Sequence, residues 1–234
     1  MSHRNIILGL ALVGGALLSV IQAPAQAPAA GNKEKGKGGP RVTRPPLFFK
    51  EEWKEVAGVR EGAATQGHVA NPNLELKLYG TAGEGVQVTG SAGDENNPVH
   101  AWTGVCEGPC GLTLREKNSF ADLTGLARIR WVTKMSGFHQ IHPLVKLADG
   151  TWLVGDHADG STTDWIESEF SVADVKWMKL DIKRVVTTGG MIEKPDLSKV
   201  DEIGFVDLYP GSGHGPGGWS DVGRIEVFAK SVAR

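Results

Sequence analysis

The sequence predicts an all-β protein, an antiparallel β-sandwich of jelly-roll type. Short stretches of alternating apolar and polar residues recur along the chain, and turn signals separate them. No segment after residue 60 shows sustained helical periodicity. We predict one sandwich domain over residues 47–234, because a chain of 234 residues suits a single domain with attachments.

The first residues carry the pattern of an export signal. A basic start at Arg4 leads into an apolar run over residues 6–21, and a region of small residues follows. We therefore predict a signal peptide over residues 1–29, with cleavage after Ala25 or after Ala29, and a secreted or periplasmic protein. An uncleaved membrane anchor is the alternative, although the apolar run is slightly short for a membrane span.

Residues 30–46 are rich in Gly, Lys and Pro and nearly free of apolar side chains. Such a segment buries too little surface to offset its ordering entropy, so we predict a flexible linker. The formal net charge of the chain is −2. This near-neutral balance gives no reason to expect nucleic acid as a partner.

The chain has two cysteines, Cys106 and Cys110, which flank a Gly-Pro turn in CEGPC. In an oxidising compartment this arrangement predicts a disulfide, which contributes about 2 kcal/mol on the chain-entropy model. A redox-active pair is the alternative, although the spacing is not CxxC. No further ligands stand nearby at metal-site spacing.

The early part of the domain is predicted to build sheet. Residues 47–59 place Phe48, Phe49 and Trp53 where they would cover one edge of the sandwich, in a short helix or an irregular strand. Alternating or short apolar stretches predict the next strands at LELKLYG (74–80), VQVTG (86–90), HAWTGV (100–105) and GLTLREK (111–117).

The centre of the prediction is a strand followed by a hairpin. In the strand ARIRWVTKM, Ile129 and Trp131 share the core face, and the arginines share the other face. The hairpin turns at Ala-Asp-Gly (148–150), and Asp-Gly between apolar strands is a typical hairpin turn. In its second strand Trp152 shares a face with Val154, and we expect Trp152 in the core.

The later part adds three strands and a loop. The stretch DVKWMKLDIKRVV (174–186) places Met178 and Leu180 on one face and Trp177 on the other, where it would meet solvent or a concave site. The remaining strands are predicted at DEIGFVDLYPG (201–211) and GRIEVFAK (223–230), with a Gly-rich loop between them.

Four segments within residues 112–230 resemble the galactose-binding-domain-like jelly rolls, which include many carbohydrate-binding modules of secreted glycosidases. These segments are DLTGLARIRWVTK, DVKWMKLDI, PDLSKVDEIGF and VGRIEVFAK. The chain also resembles a family of secreted bacterial proteins. The first resemblance implies a jelly roll and, as one of several roles found on that fold, glycan binding. It allows a structural calcium, but the residues of that site have no counterpart that can be assigned here, so no metal or cofactor is predicted.

Sugar recognition needs flat apolar faces beside polar groups. Trp165 and Trp219 fall in predicted loops and Trp177 on an outward face, so these three are ligand-binding candidates. His214, in the Gly-rich loop, is a candidate lid residue, although a flexible connection is the ordinary role of such a loop.

The densest polar group comprises His139, His142, Asp156, His157 and Asp159. It is typical of three roles: hydrogen bonding to a glycan, ordinary loop stabilisation, or metal binding. Metal binding would need a bulge, because two residues three apart on a strand point to opposite sides. We predict that the two halves of the group lie at the same end of the hairpin, since both are distal to its turn.

Catalysis would need a different constellation. Glu167 and Glu169 alternate along a possible strand and would suit an acid–base pair in a groove, and Asp156 with His157 is the other candidate pair. A polysaccharide lyase would instead use Arg128 and Arg130 with His142. No segment carries a GxSxG, HExxH or P-loop motif.

The sequence therefore favours a secreted, non-catalytic module that recognises a glycan or a similar polyhydroxylated ligand. A glycan-active enzyme, either lyase or hydrolase, is the first alternative, and an envelope structural or interaction protein is the second. We expect a monomer whose partner is carbohydrate or another polar small molecule. We expect no nucleic-acid partner and, after signal cleavage, no membrane contact.

Overall fold

A computed structural model of the chain describes residues 43–58, 62–80, 83–209, 211 and 218–234. The predicted signal peptide, the linker up to residue 42 and His214 lie outside the described residues.

The described residues form strands joined by turns and three short 3-10 helices, at Gln66–His68, Gly83–Gly85 and Val172–Asp174. In chain order the strands are β1 (Leu47–Glu51), β2 (Leu74–Tyr79), β3 (Gln87–Thr89), β4 (His100–Trp102), β5 (Cys110–Glu116), β6 (Ser119–Asp122), β7 (Arg128–Met135), β8 (Ile141–Leu147), β9 (Trp152–Gly155), β10 (Ile166–Ser171), β11 (Trp177–Asp181), β12 (Val186–Ile192), β13 (Val200–Asp207), β14 (Ser220–Phe228) and β15 (Lys230–Ala233).

The strands form two sheets. The six-stranded sheet has the order β10-β7-β14-β4-β3, with β1 also paired to β14. The nine-stranded sheet has the order β12-β11-β9-β8-β13-β5-β2, with β6 paired to β13 and to β15. Every pairing between these strands is antiparallel. The predicted antiparallel β-sandwich of jelly-roll type is therefore confirmed.

The main core lies between the sheets. From β7, Ile129 and Trp131 point inward and are essentially unexposed, which confirms the predicted alternation of this strand. They pack in one cluster with Leu112, Leu114 and Phe205 of the facing sheet. Burial of such large apolar side chains is the principal force that holds the two sheets together.

A second, smaller apolar cluster covers the outer face of the nine-stranded sheet. Its buried members come from that sheet and from the turn after β11, and they are Leu144, Val154, Leu180, Val185 and Val206. Trp152, Met178, Ile182 and Leu208 are partly buried against it. Strands β8 and β13 therefore carry apolar residues on both faces.

Two expectations about the stretch 174–186 are wrong. Trp177 is only 1% exposed and lies in the core between the sheets, because the face that carries Met178 and Leu180 is the outer one. The stretch is also not one strand: the chain turns over residues 182–185 and returns as β12, an edge strand paired with β11.

The predicted disulfide between Cys106 and Cys110 is confirmed, with the two Cα atoms 6.4 Å apart. It closes a tight loop directly before β5 at one end of the sandwich. Gly211 donates its backbone N–H to the carbonyl of Cys106 at 2.7 Å, so the loop after β13 is tied to this turn.

Candidate functional site

The predicted group of histidines and aspartates is divided among three places. His139 is fully buried at one end of the sandwich, where its Nδ1 lies 2.7 Å from Asp207 Oδ2. Because a carboxylate only accepts hydrogen bonds, the His139 ring donates from Nδ1. The same carboxylate oxygen accepts the hydroxyls of Thr103 and Ser220, each at 2.9 Å. This network joins loops from both sheets.

His142 lies on the outer face of β8, half-buried, with its Nδ1 3.2 Å from the carbonyl of Gly155. Burial lowers the pKa of His142, and its hydrogen bonds with the backbone only partly oppose this. Asp156 is exposed and accepts the backbone N–H of Lys176 at 2.8 Å. This Asp156 contact stabilises the start of β11.

His157 and Asp159 lie against β7 and β10, at one edge of the six-stranded sheet. The His157 ring stacks on Phe170 with centroids 3.9 Å apart. One carboxylate oxygen of Asp159 accepts hydrogen bonds from the Trp131 indole and the Ser168 hydroxyl. Burial by itself raises the pKa of Asp159, but these bonds and the nearby His157 ring, whose Nε2 lies 3.5 Å from the other carboxylate oxygen, outweigh it and lower the pKa.

The two halves of the group do lie at the same end of the hairpin, as predicted. Ile141 and Asp159 exchange both backbone hydrogen bonds, at 3.2 and 3.3 Å. However, His139 faces the core, His142 faces the outer side of the sheet, and His157 faces Phe170. Among the residues that the structure describes, no three His, Cys, Asp or Glu side chains are placed to hold a metal ion.

The candidate tryptophans also lie apart. Trp165 is half-buried on the outer face of the six-stranded sheet, and its indole donates to the carbonyl of Asn96 at 3.3 Å. Trp219 is half-buried at the end of the sandwich and donates to Asp221 at 3.0 Å. Trp177 is in the core, so the three rings share no surface.

The residues considered for catalysis do not assemble. Glu169 is paired with Arg128 and Arg130, at 2.9 and 2.7 Å, on the outer face of the six-stranded sheet. Glu167 is paired with Arg224 on that face. His142 lies on the outer face of the other sheet, so a base and a basic partner of these types do not meet.

A different surface brings aromatic and charged groups together. Tyr79 and Trp152 stand on the outer face of the nine-stranded sheet, with ring centroids 4.6 Å apart and planes at 65°. Their strands, β2 and β9, are separated by three others in the sheet order, so the sheet must curve to bring the rings into contact. The ammonium of Lys146 lies 5.7 Å from the Trp152 ring.

A buried carboxylate organises the charged groups beside this aromatic pair. Glu202 is fully buried, and its Oε1 accepts Lys77 and Lys146 at 2.8 and 3.0 Å. Its Oε2 accepts the hydroxyls of Tyr79 and Thr113 at 2.6 and 2.7 Å. The carboxylate therefore holds four donors on one face of the sheet in fixed positions.

The electrostatics of this arrangement are consistent with an ionised carboxylate. Burial by itself raises the pKa of Glu202, but the hydrogen bonds from its four partners outweigh burial and lower the pKa. Burial and the bond to Glu202 raise the pKa of Tyr79, which keeps its hydroxyl protonated as a donor. The ammonium side chains of Lys77 and Lys146 remain 38% and 25% exposed, so they can also reach a ligand.

We call Tyr79, Trp152, Lys77, Lys146 and Glu202 the outer-face platform. The sequence did not single it out. Tyr79 simply continues the β2 alternation, and Trp152 was expected in the core because it shares a face with Val154. That shared face is correct, but it is the outer one, and alternation alone does not say which face is outer.

One more aromatic group escaped the sequence analysis. Phe138 is 79% exposed and Tyr209 is 54% exposed. They lie at the end of the sandwich, beside the buried His139–Asp207 pair. The His139 and Tyr209 rings are 6.1 Å apart.

No protein-family model matches the chain, and no curated protein does either. No helix among the described residues has the length and apolar character of a membrane span.

Solved structures with a similar fold are known. One is the family 11 carbohydrate-binding module from Clostridium thermocellum in complex with a β-1,3-1,4-mixed-linked tetrasaccharide, which is 18% identical, with 79% of this chain and 98% of that chain covered and a TM-score of 0.41. Another is TmCBM61 in complex with β-1,4-galactotriose, at 12% identity, 66% and 88% coverage and a TM-score of 0.37. A third is the carbohydrate recognition domain of Emp47p, at 10% identity, 82% and 99% coverage and a TM-score of 0.39. The chain is similar to these proteins in fold, and the choice of a binding face rests on its own side chains.

Proposed function

We propose that the protein binds a glycan on the outer-face platform, as a module without catalytic activity of its own. The observation that carries this proposal is the contact between Tyr79 and Trp152 directly above a buried carboxylate that fixes hydrogen-bond donors. Aromatic rings take the C–H face of a sugar, and polar groups beside them take its hydroxyls.

The platform meets the requirement of preorganisation. Glu202 holds the Tyr79 hydroxyl and the two lysine ammonium groups before any ligand arrives. Little side-chain entropy is then lost on binding, and this is how a rigid polar surface gains affinity. The partly exposed ammonium groups also suit sugars that carry carboxylate or sulfate groups, so acidic oligosaccharides belong in the test.

The test is calorimetric titration of the full chain with a panel of soluble oligosaccharides. The panel includes β-1,4-galactotriose, a β-1,3-1,4-mixed-linked glucan tetrasaccharide and an oligouronate. We expect binding to at least one member and a loss of about tenfold or more in Trp152→Ala, because stacking on one ring is worth about 1.4 kcal/mol or more.

Two matched variants locate the site. Trp165→Ala removes a half-buried indole on the opposite sheet, and Phe138→Ala removes the most exposed aromatic ring at the end of the sandwich. Both should bind as the wild type does. Absence of binding across the panel would refute the proposal. Binding that survives Trp152→Ala but is lost in Phe138→Ala would contradict it and place the site at the end of the sandwich.

A further inference from the structure

The turn between β11 and β12 lies across the outer face of the nine-stranded sheet. Val185, the last residue of this turn, is 1% exposed and packs in the cluster with Leu144 and Val154. A Cβ atom placed on Gly80 would lie 2.7 Å from a Val185 methyl group. Gly80 directly follows β2, which stands far from β11 in the sheet order. The turn therefore reaches over the face to the other side of the sheet.

Val185 is held in an unfavourable conformation. Its φ is +52°, in the left-handed region that β-branched residues rarely occupy. Such a conformation persists only where surrounding contacts enforce it. Here the Asp181 carboxylate accepts the backbone N–H of Lys183 at 3.0 Å and the Arg184 guanidinium at 2.8 Å, which shapes the turn. The apolar contacts of Val185 supply the rest.

The second arm of the hairpin is weakly attached. Six of the seven residues of β12 are exposed, and β12 pairs with β11 alone. Its ladder with β11 is interrupted by a register shift between Met178 and Lys179. The core between the sheets includes no side chain from the turn, and only Ile192, at the far end of β12, packs against it. The turn and most of β12 can therefore lift while that core stays intact.

We propose that the β11–β12 turn and the exposed part of β12 form a strap that closes over the outer face beside Trp152 of the outer-face platform and must open for full glycan binding. This rests on the proposed function. Trp152 packs against the same apolar cluster as Val185. A sugar chain that runs from Trp152 towards Gly80 thus enters the space that Val185 fills. The closed strap competes with the ligand, and its opening equilibrium sets the apparent affinity.

The first test needs no ligand. Amide hydrogen exchange of the full chain at neutral pH compares the peptide that covers β12 with the peptide that covers β13. An independent strap gives exchange in β12 at least tenfold faster than in β13. Val185→Thr keeps the shape and the strained backbone but buries a hydroxyl, so it should accelerate β12 further. The matched variant Val186→Thr changes a 39% exposed neighbour and should not. Exchange as slow in β12 as in β13, and unchanged in Val185→Thr, would overturn the strap.

The second test measures affinity for β-1,4-galactotriose and the mixed-linked tetrasaccharide. Val185→Thr should bind about tenfold more tightly than wild type, since burying an unsatisfied hydroxyl destabilises the closed state by roughly that factor. Val186→Thr should stay within about twofold. Equal affinities for the two variants would overturn control of binding by the strap. If neither probe binds any variant, the proposed function fails for them, and the exchange result still decides whether the strap exists.

Discussion

The buried carboxylate of Asp207 should be among the most sensitive positions for stability. It accepts His139, Thr103 and Ser220 at 2.7 to 2.9 Å and the backbone N–H of Tyr209 at 3.0 Å. The first three partners have no measurable exposure. Asp207→Ala removes the acceptor of these three donors, which water does not reach, and of the Tyr209 backbone N–H, which belongs to an exposed residue. Removing one partner of a buried pair costs about 3–5 kcal/mol, and the stranded hydroxyls keep the loss in the upper part of that range.

The assay is urea unfolding followed by near-UV circular dichroism. With a slope of about 2 kcal/mol per M, the midpoint of Asp207→Ala should fall by about 2 M. Asp207→Asn keeps one acceptor and should lose less. Asp174→Ala removes an exposed carboxylate and should shift the midpoint by no more than about 0.3 M. If Asp207→Ala shifts the midpoint no more than Asp174→Ala does, the network does not hold the loops together and the reasoning is wrong.

Three further results are expected. Burial lowers the pKa of His142 and His68, so the unfolded state binds more protons below about pH 6.5. The free energy of unfolding should be highest above that pH. It should fall on acidification by up to about 1.4 kcal/mol per pH unit for each histidine. His142→Gln should flatten this slope in urea titrations between pH 7.5 and 5, and an unchanged slope would contradict the argument. Replacing Cys106 and Cys110 together by Ser should cost about 2 kcal/mol in thermal unfolding, and dithiothreitol on the wild type should give the same loss. Glu202→Gln weakens the bonds to Lys77 and Lys146, so it should cost about 1–3 kcal/mol, and an unaltered melting temperature would argue against a fixed platform.

The inward and outward faces of a strand can be predicted from the sequence where one of them is exposed to solvent. In β7 the arginines alternate with Ile129 and Trp131, so the sequence itself says which side is dry. In β8 this signal is lost, because both Leu144 and Val145 are fully buried, one on each face of the sheet. The alternation of apolar and polar residues therefore does not predict the outer apolar cluster.

The hairpin turn between β11 and β12 lacks the usual local sequence signal. Turns that need a left-handed residue usually carry Gly or Asn at that position, and here the residue is Val185. Without that signal, the stretch from Asp174 to Val186 reads as one strand. Because β11 buries apolar residues on both of its faces, alternation does not show which face meets the core between the sheets. The predicted orientation of Trp177 is therefore the reverse of the observed one.

The candidate site was the hardest part to foresee. The nearness of His142 to the Asp159 loop followed from hairpin geometry, because both flank the same pair of strands. The contact between Tyr79 and Trp152 depends instead on the curvature of a whole sheet, summed over the strands between them. The partner of His139 lies in β13, far along the chain, and no local pattern announces it.

The place of β14 in the six-stranded sheet has a consequence for how the molecule forms. This strand binds β7, β4 and β1, and its residue Phe228 pairs with Leu47 at the other end of the described domain. During synthesis, every other strand of that sheet exists before its hub does. The strand partner of β1, and the link between the β3–β4 pair and the β7–β10 pair, arrive only when residues 220–228 have been made. Such distant pairings close slowly, so the six-stranded half of the molecule should exist at first as the separate pairs β3–β4 and β7–β10 with β1 unpaired, while most of the other sheet can already assemble.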